Sequence, residues 1–234
     1  IQSETHIYDS VAAMRTDFYR GKIDLIVATP LVLVNEFDQS QLTDGYKTHM
    51  HGTSINKLIF VTHKQSGLKK FADVRNKQLL LLQNDPLAQM YADILALEHF
   101  GKQSKQVFAK VDYVFKAHQL ILKLFFKQTD VILVYLQDYL LATELNPQIA
   151  KQTQIIAELD NIPHGMSFFH IRTDPELMEI TIREAEKMHE HPAGQQLLTL
   201  LQATKMERSS LDDLNSTRQL KQRYQQLLKQ HSLP

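Results

Sequence analysis

Apolar and polar positions alternate along the chain in blocks that predict short strands followed by helices. Ile23–Ala28 is apolar except for Asp24, and this pattern predicts a buried strand. Gln78–Gln83 contains four consecutive leucines, as expected of a strand that is buried on both faces. A helix follows it, because apolar residues recur at helical spacing from Leu87 to Leu95. Strands and helices therefore alternate, which predicts an α/β fold with a mainly parallel sheet.

Other segments continue this alternation on either side. Strands are predicted where apolar runs are short and rich in β-branched or aromatic residues: Lys57–His63, Val107–Val111, Asp130–Tyr135, Ile155–Leu159 and Met166–Ile171. Helices are predicted from a cap at Asp9 or Ser10 to Arg20, and over Pro30–Phe37, Phe115–Phe126 and Gln137–Glu144. The polar segment Asp38–Ser54 is predicted to be a loop.

The C-terminal part of the chain is predicted to contain helices only. Asp174-Pro175 matches an N-cap followed by proline at the first helical position, and Pro192 and Ser209 begin two further helices. We expect two lobes, the first formed by residues 1–63 and 165–234 and the second, inserted lobe formed by residues 64–164. Thr62–Gly67 and Pro163–His170 are expected to connect them, with the C-terminal helices packed on the first lobe.

Composition narrows the classes of function. The 234 residues include 26 Lys and Arg and 26 Asp and Glu, so no basic surplus favours nucleic acid or a polybasic membrane contact. The chain has no cysteine, which excludes disulfides, cysteine-bound zinc, iron–sulfur clusters and thiol catalysis. No apolar run approaches the roughly 18 residues of a membrane-spanning helix. We therefore predict no nucleic-acid partner.

Sequence motifs for catalysis or metal binding are missing. His49-Met50-His51 places two imidazoles on one face of a possible strand, but no third ligand lies at a recognisable spacing. His189-Glu190-His191 lacks the H-E-x-x-H arrangement of zinc proteases. The sequence has no G-x-S-x-G, P-loop or G-x-G-x-x-G pattern. We therefore predict no metal site, no cofactor and no enzymatic activity.

Four segments, taken in order, carry a resemblance to a known family. Arg20–Ile26 resembles a G-K-x-D-hydrophobic strand after a helix, and Ser66–Lys77 resembles an S-G-hydrophobic…L-x-D-L-R/K-G-K crossing. Thr129–Val134 resembles an x-D-A strand, and Pro192–Leu198 resembles a P-x-G-x-x-hydrophobic segment. Together they are similar to type II periplasmic solute-binding proteins, specifically the phosphate/phosphonate-binding group of ABC importers. The family's first strand and loop are expected upstream of Ile1, and Gln83-Asn84-Asp85-Pro86 stands where phosphonate binders have a Ser/Thr/Gly-rich turn.

The resemblance implies a two-lobed α/β fold of the periplasmic-binding-protein type, with a helical C-terminal tail. It implies a non-enzymatic, monomeric protein that captures a small anionic, phosphate- or phosphonate-like ligand between its lobes. The partner would be the membrane permease of an ABC importer, and the location periplasmic or otherwise extracytoplasmic. Two alternatives stay open: a ligand-sensing domain of a membrane receptor or signalling protein and, less favoured, an enzyme on the same fold.

Ligand contacts in such a fold are expected at the carboxyl ends of strands, where helix N-termini offer free N–H groups to an oxyanion. In this sequence the strand-to-helix turns are Thr29-Pro30, Asn84-Asp85 and the one after Tyr135. Thr29 and Asn84 are candidate donors to a ligand oxygen. Asp85 either accepts from a ligand amine or only caps its own helix. Tyr135 either lines the cleft or is a core tyrosine.

The two connecting segments supply the other candidates. Thr62 and His63 lie at the first segment, and His164 lies at the second. Each has a structural alternative, Thr62 as an ordinary strand residue and the histidines as surface or structural residues. The complete predicted ligand-binding set is Thr29, Pro30, Thr62, His63, Asn84, Asp85, Tyr135 and His164.

Overall fold

The computed structural model describes residues 4–231 and divides into two compact units. Unit 1 comprises Ile1–Ile55 and Pro163–Arg218, and unit 2 comprises Asn56–Ile162 and Gln219–Pro234. The helices are α1 (Val11–Tyr19), α2 (Pro30–Glu36), α3 (Pro86–Phe100), α4 (Ser104–Val107), α5 (Ala117–Phe125), α6 (Leu136–Leu145), α7 (Pro147–Gln152), α8 (Pro175–Glu186), α9 (Pro192–Leu200) and α10 (Asn215–Gln230). The strands are β1 (Leu25–Ala28), β2 (Leu42–Thr43), β3 (Gly45–His49), β4 (Ile55–His63), β5 (Gln78–Leu82), β6 (Lys110–Val114), β7 (Val131–Tyr135), β8 (Thr153–Pro163), β9 (Met166–His170) and β10 (Lys205–Ser209).

Unit 2 contains a sheet with the strand order β6-β5-β7-β4-β8. Strand β5 pairs in parallel with both β6 and β7, whereas β4 is antiparallel to β7. Leu79 and Leu81 pack into one hydrophobic cluster with Tyr91 of α3, while Leu80 packs into a second cluster with Leu120 of α5. The central strand is therefore buried on both faces, as its run of leucines predicts.

Unit 1 contains a second sheet, with the order β1-β9-β3-β10 and with β2 also paired to β9. The described pairs in this sheet are antiparallel, so the prediction of a mainly parallel arrangement is wrong for unit 1. The reason is connectivity, because β9 follows the inserted segment Asn56–Ile162 of unit 2 rather than a short βαβ crossover. Phe18, Ile26, Leu33 and Phe168 form its core with other apolar residues.

Strands β3 and β10 are further corrections, since the sequence predicts a loop over Asp38–Ser54 and only helices after Asp174. Both strands are polar, and side-chain pairs support them. The ammonium of Lys47 lies 2.6 Å from Asp213 Oδ1 and 3.1 Å from Glu207 Oε1. Gly45 permits close packing, because a Cβ there would meet the carbonyl oxygen of Ser167 at 2.2 Å. Neither feature gives the alternating hydrophobicity that predicts a strand.

The unit boundaries also differ from the expected ones. The first falls at residue 55, because β4 is hydrogen-bonded to β7 along Leu58–Thr62 and therefore belongs to unit 2. Helices α8 and α9 belong to unit 1, but α10 enters unit 2 from Gln219 onward. There the Arg223 guanidinium contacts both carboxylate oxygens of Glu98, at 2.6 and 2.7 Å.

Candidate functional site

Three parallel strands of unit 2 end at one edge of its sheet. Leu82 of β5 is paired with Val114 of β6, and Leu79 of β5 is paired with Val131 of β7. The turns after β5, β6 and β7 therefore share this edge, which we call the carboxyl edge. The backbone N–H of Gln83 donates to the carbonyl of Val114 at 2.8 Å, which holds the first two turns together.

The turn after β5 is closed by Asp85. Its carboxylate caps α3, accepting from the backbone N–H of Ala88 at 3.0 Å, so the capping interpretation describes the local geometry. The same carboxylate accepts a hydrogen bond from the hydroxyl of Tyr135. Tyr135 is the N-cap residue of α6. The structure thus brings together two predicted residues, as a hydrogen-bonded pair at the carboxyl edge.

Burial controls the protonation of this pair. It raises the pKa of Asp85 above its ordinary value and outweighs the opposing hydrogen bonds from Ala88, Tyr135 and Leu87. Burial also raises the pKa of Tyr135, and the neighbouring Asp85 charge adds to the effect. Tyr135 is therefore a protonated donor throughout the physiological range, and its proton is directed at Asp85.

Unlike the Asp85 carboxylate, the side-chain amide of Asn84 is available to bind a ligand. Its backbone has φ of 61°, a left-handed conformation that asparagine tolerates better than most residues. The side chain is exposed, and within residues 4–231 its amide has no hydrogen-bond partner. An exposed amide on a fixed turn can donate its N–H groups to a ligand oxygen.

Sequence reasoning missed two residues at the same edge, Phe115 and Lys116. Phe115 directly follows β6 and is 77% exposed, and the exposed Lys116 begins α5. They were missed because the strand was predicted over Val107–Val111, three residues before its actual start and end. The β-branched and aromatic residues Val111, Tyr113 and Val114, which come immediately before the apolar helix, could have extended the predicted strand to Val114.

Helices α5 and α6 start at the carboxyl edge without a side-chain cap, unlike α3. The first N–H groups of a helix have no partner inside the helix, and the helix dipole makes this end positive. The edge therefore combines two uncapped helix starts, one ammonium group and one free amide, and the Asp138 carboxylate lies in the first turn of α6. This chemistry suits the binding of an oxyanion, and no nucleophile is arranged for catalysis among these residues.

Thr62 and His63 lie elsewhere in unit 2. Because β4 is antiparallel to β7, Thr62 is paired with Val131, at the opposite edge from Tyr135. Its hydroxyl donates to the Asp130 carbonyl at 2.8 Å. His63 is buried, accepting from the Gln65 N–H at its Nδ1 and contacting Gln152 Oε1 through its Nε2. Both side chains are engaged in holding their own turn, and the structure does not bring them to the carboxyl edge.

Three predicted residues lie in unit 1. Thr29 caps α2 without a side-chain hydrogen bond and is exposed, while Pro30 occupies the first helical position and is buried. His164 follows β8, is half-buried, and donates its backbone N–H to the Ser54 carbonyl at 3.1 Å. The Thr29-Pro30 turn is thus a strand-to-helix turn, as predicted, with its hydroxyl free of the helix it begins.

In residues 4–231, no group of three or more His, Asp or Glu side chains is arranged to hold a metal ion. The same part of the chain contains no helix that is both long and apolar enough to cross a bilayer.

Comparison with known proteins gives one family. Residues 1–214 match the model of the phosphonate-binding periplasmic substrate-binding proteins of ABC transporters. No curated protein matches the chain.

Solved structures support the same fold at low sequence identity. XAC2383 from Xanthomonas citri, bound to ATP, has a TM-score of 0.72 and 13% identity, covering 97% of this chain and 86% of its own. The binding protein component of an ABC phosphonate transporter (PA3383) from Pseudomonas aeruginosa has a TM-score of 0.68 and 15% identity, covering 96% and 76%. PhnD1 from Prochlorococcus marinus, in complex with methylphosphonate, has a TM-score of 0.63 and 12% identity, covering 92% and 83%. The fold is thus the α/β fold of type II periplasmic binding proteins.

Proposed function

We infer a function for this chain from the family to which it belongs, the phosphonate-binding periplasmic substrate-binding proteins of ABC transporters. We propose that it is a monomer that captures a small phosphate- or phosphonate-like oxyanion outside the cytoplasm and passes it to an ABC permease. Family membership favours this transport role over a sensor domain, and it points to binding rather than catalysis.

The observation that carries the choice of an oxyanion is the pair of uncapped helix starts at the carboxyl edge. Their free N–H groups attract negative charge, and Lys116 adds a full positive charge beside α5. Asn84 supplies a neutral donor at the neighbouring turn. An anion at this edge can accept hydrogen bonds from the helix N–H groups, the Lys116 ammonium and the Asn84 amide. No buried charged side chain has to move to make room for it.

Asp85 restricts where the anion binds. Its carboxylate occupies the start of α3, so a second negative group placed there would be repelled. The Tyr135 hydroxyl, which donates to Asp85, partly compensates this carboxylate. We therefore place the anion toward α5, because Asp138 puts a second carboxylate in the first turn of α6. The Asp85–Tyr135 pair sets the limit of the site on the α3 side.

Unit 1 has a strand-to-helix turn of the same kind. Thr29 has a free hydroxyl and lies directly before α2, whose Pro30 lacks an N–H group. The hydroxyl is therefore the side-chain donor that this turn offers to an anion. Thr62 and His63 are left out of the proposed set, because their polar atoms are used at the other edge of the unit 2 sheet.

Calorimetry with methylphosphonate, inorganic phosphate, sulfate and ethylamine tests the proposal. We expect at least one phosphorus oxyanion to bind and ethylamine not to bind, and a ligand at 100 times its Kd should stabilise the protein by about 2.7 kcal/mol. Asn84→Ala should weaken anion binding by about 1–3 kcal/mol. Thr62→Val is the matched control at the opposite edge, and it should leave affinity unchanged while lowering stability.

The result that would contradict the proposal is equally direct. Binding of ethylamine in preference to every anion would reverse the assigned charge of the ligand. Unchanged affinity in both Asn84→Ala and Lys116→Ala would remove the carboxyl edge as the site. Accumulation of an altered phosphonate beyond one equivalent of protein would show that the chain is an enzyme.

A further inference from the structure

Three histidines of unit 1 lie together where the chain leaves this unit and returns to it. His49 ends β3 and His51 follows two residues later, shortly before β4, while His164 lies directly after β8. Lys47 is paired with Met166 in the antiparallel β3–β9 ladder, and the Thr48 hydroxyl donates to the Gly165 carbonyl at 3.5 Å, so the end of β3 lies beside the segment that contains His164. We call these three residues the histidine cluster. Because the His164 N–H is bonded to the Ser54 carbonyl, the outgoing and returning segments are also joined by their backbones.

The cluster contains two ring nitrogens that are buried without a partner. Within residues 4–231, His49 Nδ1 and His164 Nε2 make no hydrogen bond, and His49 is only 9% exposed. In a neutral imidazole one ring nitrogen is unprotonated and carries a lone pair. Burying this nitrogen without a partner has a modest cost in free energy. In a protonated imidazole both nitrogens are N–H donors on a charged ring, and burying one without an acceptor is more costly.

His49 and His164 differ in what surrounds them. His49 Nε2 lies 2.6 Å from Glu207 Oε2, so this ring has an acidic partner. Lys47 and Lys205 of these neighbouring strands contact the same Glu207 carboxylate, whereas Arg208 is paired with Asp44 and Glu179. His164 has no acidic partner among the described residues, and the groups that face it are His49 and His51. A positive charge on His164 would therefore be both buried and repelled.

We propose that the histidine cluster is an acid-sensitive latch, which holds the Ser54 and His164 segments together at neutral pH and releases them when His164 takes up a proton. The chemistry is a simple protonation of the His164 imidazole by solvent. Release exposes the ring to water, where its charge is hydrated and its N–H groups find acceptors. The latch lies within unit 1 and operates without ligand, so it stands independently of the transport role.

The direction of the pH effect follows from the protonation equilibria. Burial, and then the charges of His51 and His49, lower the pKa of His164 below its ordinary value. An opened segment takes up the proton near the ordinary value of about 6.5, whereas the closed segment takes it up only at lower pH. Below about pH 6.5 the opened form therefore binds more protons, and the closed form loses stability as the pH falls toward the lowered pKa.

Hydrogen exchange of the His164 amide measures opening directly, because this N–H is bonded to Ser54. After correction for the intrinsic exchange rate, we expect the opening constant to rise as the pH falls. The rise should be up to about tenfold for each pH unit between the His164 pKa of the opened form and that of the closed form. His164→Phe keeps an aromatic ring but cannot titrate, so its opening constant should be independent of pH over the same range. His118→Phe, which changes an exposed histidine of α5, should retain the wild-type dependence.

A second measurement needs no variant that might change the fold. The ring signals of His164 in the unaltered protein, followed by NMR during acidification, should titrate with a midpoint below about 6.5. A midpoint at or above that value would overturn the latch, as would an opening constant of the His164 amide that does not change with pH. Equal pH dependence in His164→Phe and the wild type would assign the effect to another group and would also overturn it.

Discussion

The two sheets of this protein are stabilised by different chemistry. In unit 2 the central strand places Leu79, Leu80 and Leu81 into hydrophobic clusters on both faces of the sheet. In unit 1, β3 and β10 are polar strands, and Lys47 is paired with Asp213, which lies 166 residues further along the chain. An apolar strand is therefore specified by its own residues, whereas a polar strand is specified by distant partners. Mutations should therefore affect the two sheets through different mechanisms.

The largest expected effect is the loss of a buried ring in unit 2. Phe60 is fully buried, with ring centroids 5.0 Å from Phe71 and 5.7 Å from Tyr91. Phe60→Ala should lower the free energy of unfolding by about 3–5 kcal/mol, through lost burial and the cavity that remains. Phe126→Ala is the control, since Phe126 is 64% exposed, and its effect should stay within about 0.5 kcal/mol. Similar denaturation midpoints for the two variants would contradict the apolar account of unit 2.

The next effect concerns backbone packing in unit 1. Gly45→Ala introduces a Cβ 2.2 Å from the Ser167 carbonyl oxygen, so β3 and β9 must move apart. We expect a loss of about 1–3 kcal/mol in chemical denaturation. Gly165→Ala is the matched control, because its Cβ would meet its nearest neighbour, the Ala28 carbonyl, at 3.8 Å. If both glycine variants were equally stable, close strand approach would not be what β3 requires.

A smaller effect tests the ion pairs of the polar strands. Lys47→Met removes the ammonium shared by Glu207 and Asp213, and we expect a loss of about 1–2 kcal/mol that shrinks as salt is added. Arg15→Ala removes the more exposed pair with Glu36 and should cost no more than about 1 kcal/mol. Thermal unfolding of both variants at low and high salt makes the comparison. A stabilising effect of Lys47→Met would show that apolar burial suits this strand better than ion pairing.

The smallest effect concerns Asp85, a partly buried carboxylate in the otherwise apolar unit 2. Since burial raises the pKa of Asp85, the folded state binds its proton more readily than the unfolded state, and the stability this contributes in acid is lost as the pH rises through the folded-state pKa. Asp85→Asn keeps an N-cap residue and removes the charge, so stability at pH 7 should be unchanged or higher by up to about 1 kcal/mol. Asp85→Ala should instead lose about 1 kcal/mol, because the cap is gone. Urea titrations from acid to neutral pH would refute this if wild type gained stability over Asp85→Asn as the pH rose.

The same contrast explains how much of the fold could be predicted. The leucine run of β5 and the helix from Pro86 carry their periodicity in their own residues, and both lie where the sequence predicts them. Strand β10, with the sequence Lys-Met-Glu-Arg-Ser, has no such pattern and depends on β3 for its pairing. Its partner lies more than 150 residues away in sequence, and local pattern analysis does not reach that far.

The candidate site was partly predictable for a related reason. Asn84, Asp85 and Tyr135 lie at one edge because each follows or ends a parallel strand, and strand-to-helix turns are visible in sequence. Thr62 and His63 looked equivalent because they also end a strand. Strand direction decides the outcome, since β4 runs antiparallel to β7, and hydrophobic patterning carries no information about direction.

The division of unit 1 between two distant parts of the chain has a consequence for biosynthesis. The backbone N–H of Tyr46 in β3 donates to the hydroxyl of Ser167 in β9, and the two residues are 121 positions apart in the sequence. At a translation rate of roughly 5–20 residues per second, β3 waits on the order of ten seconds for β9 to leave the ribosome. The five strands of the unit 2 sheet are complete only at Pro163, just before β9 begins, and throughout this interval β1 lacks its partner strand. The nascent chain thus exposes an unfinished unit 1 sheet until β9 has been made.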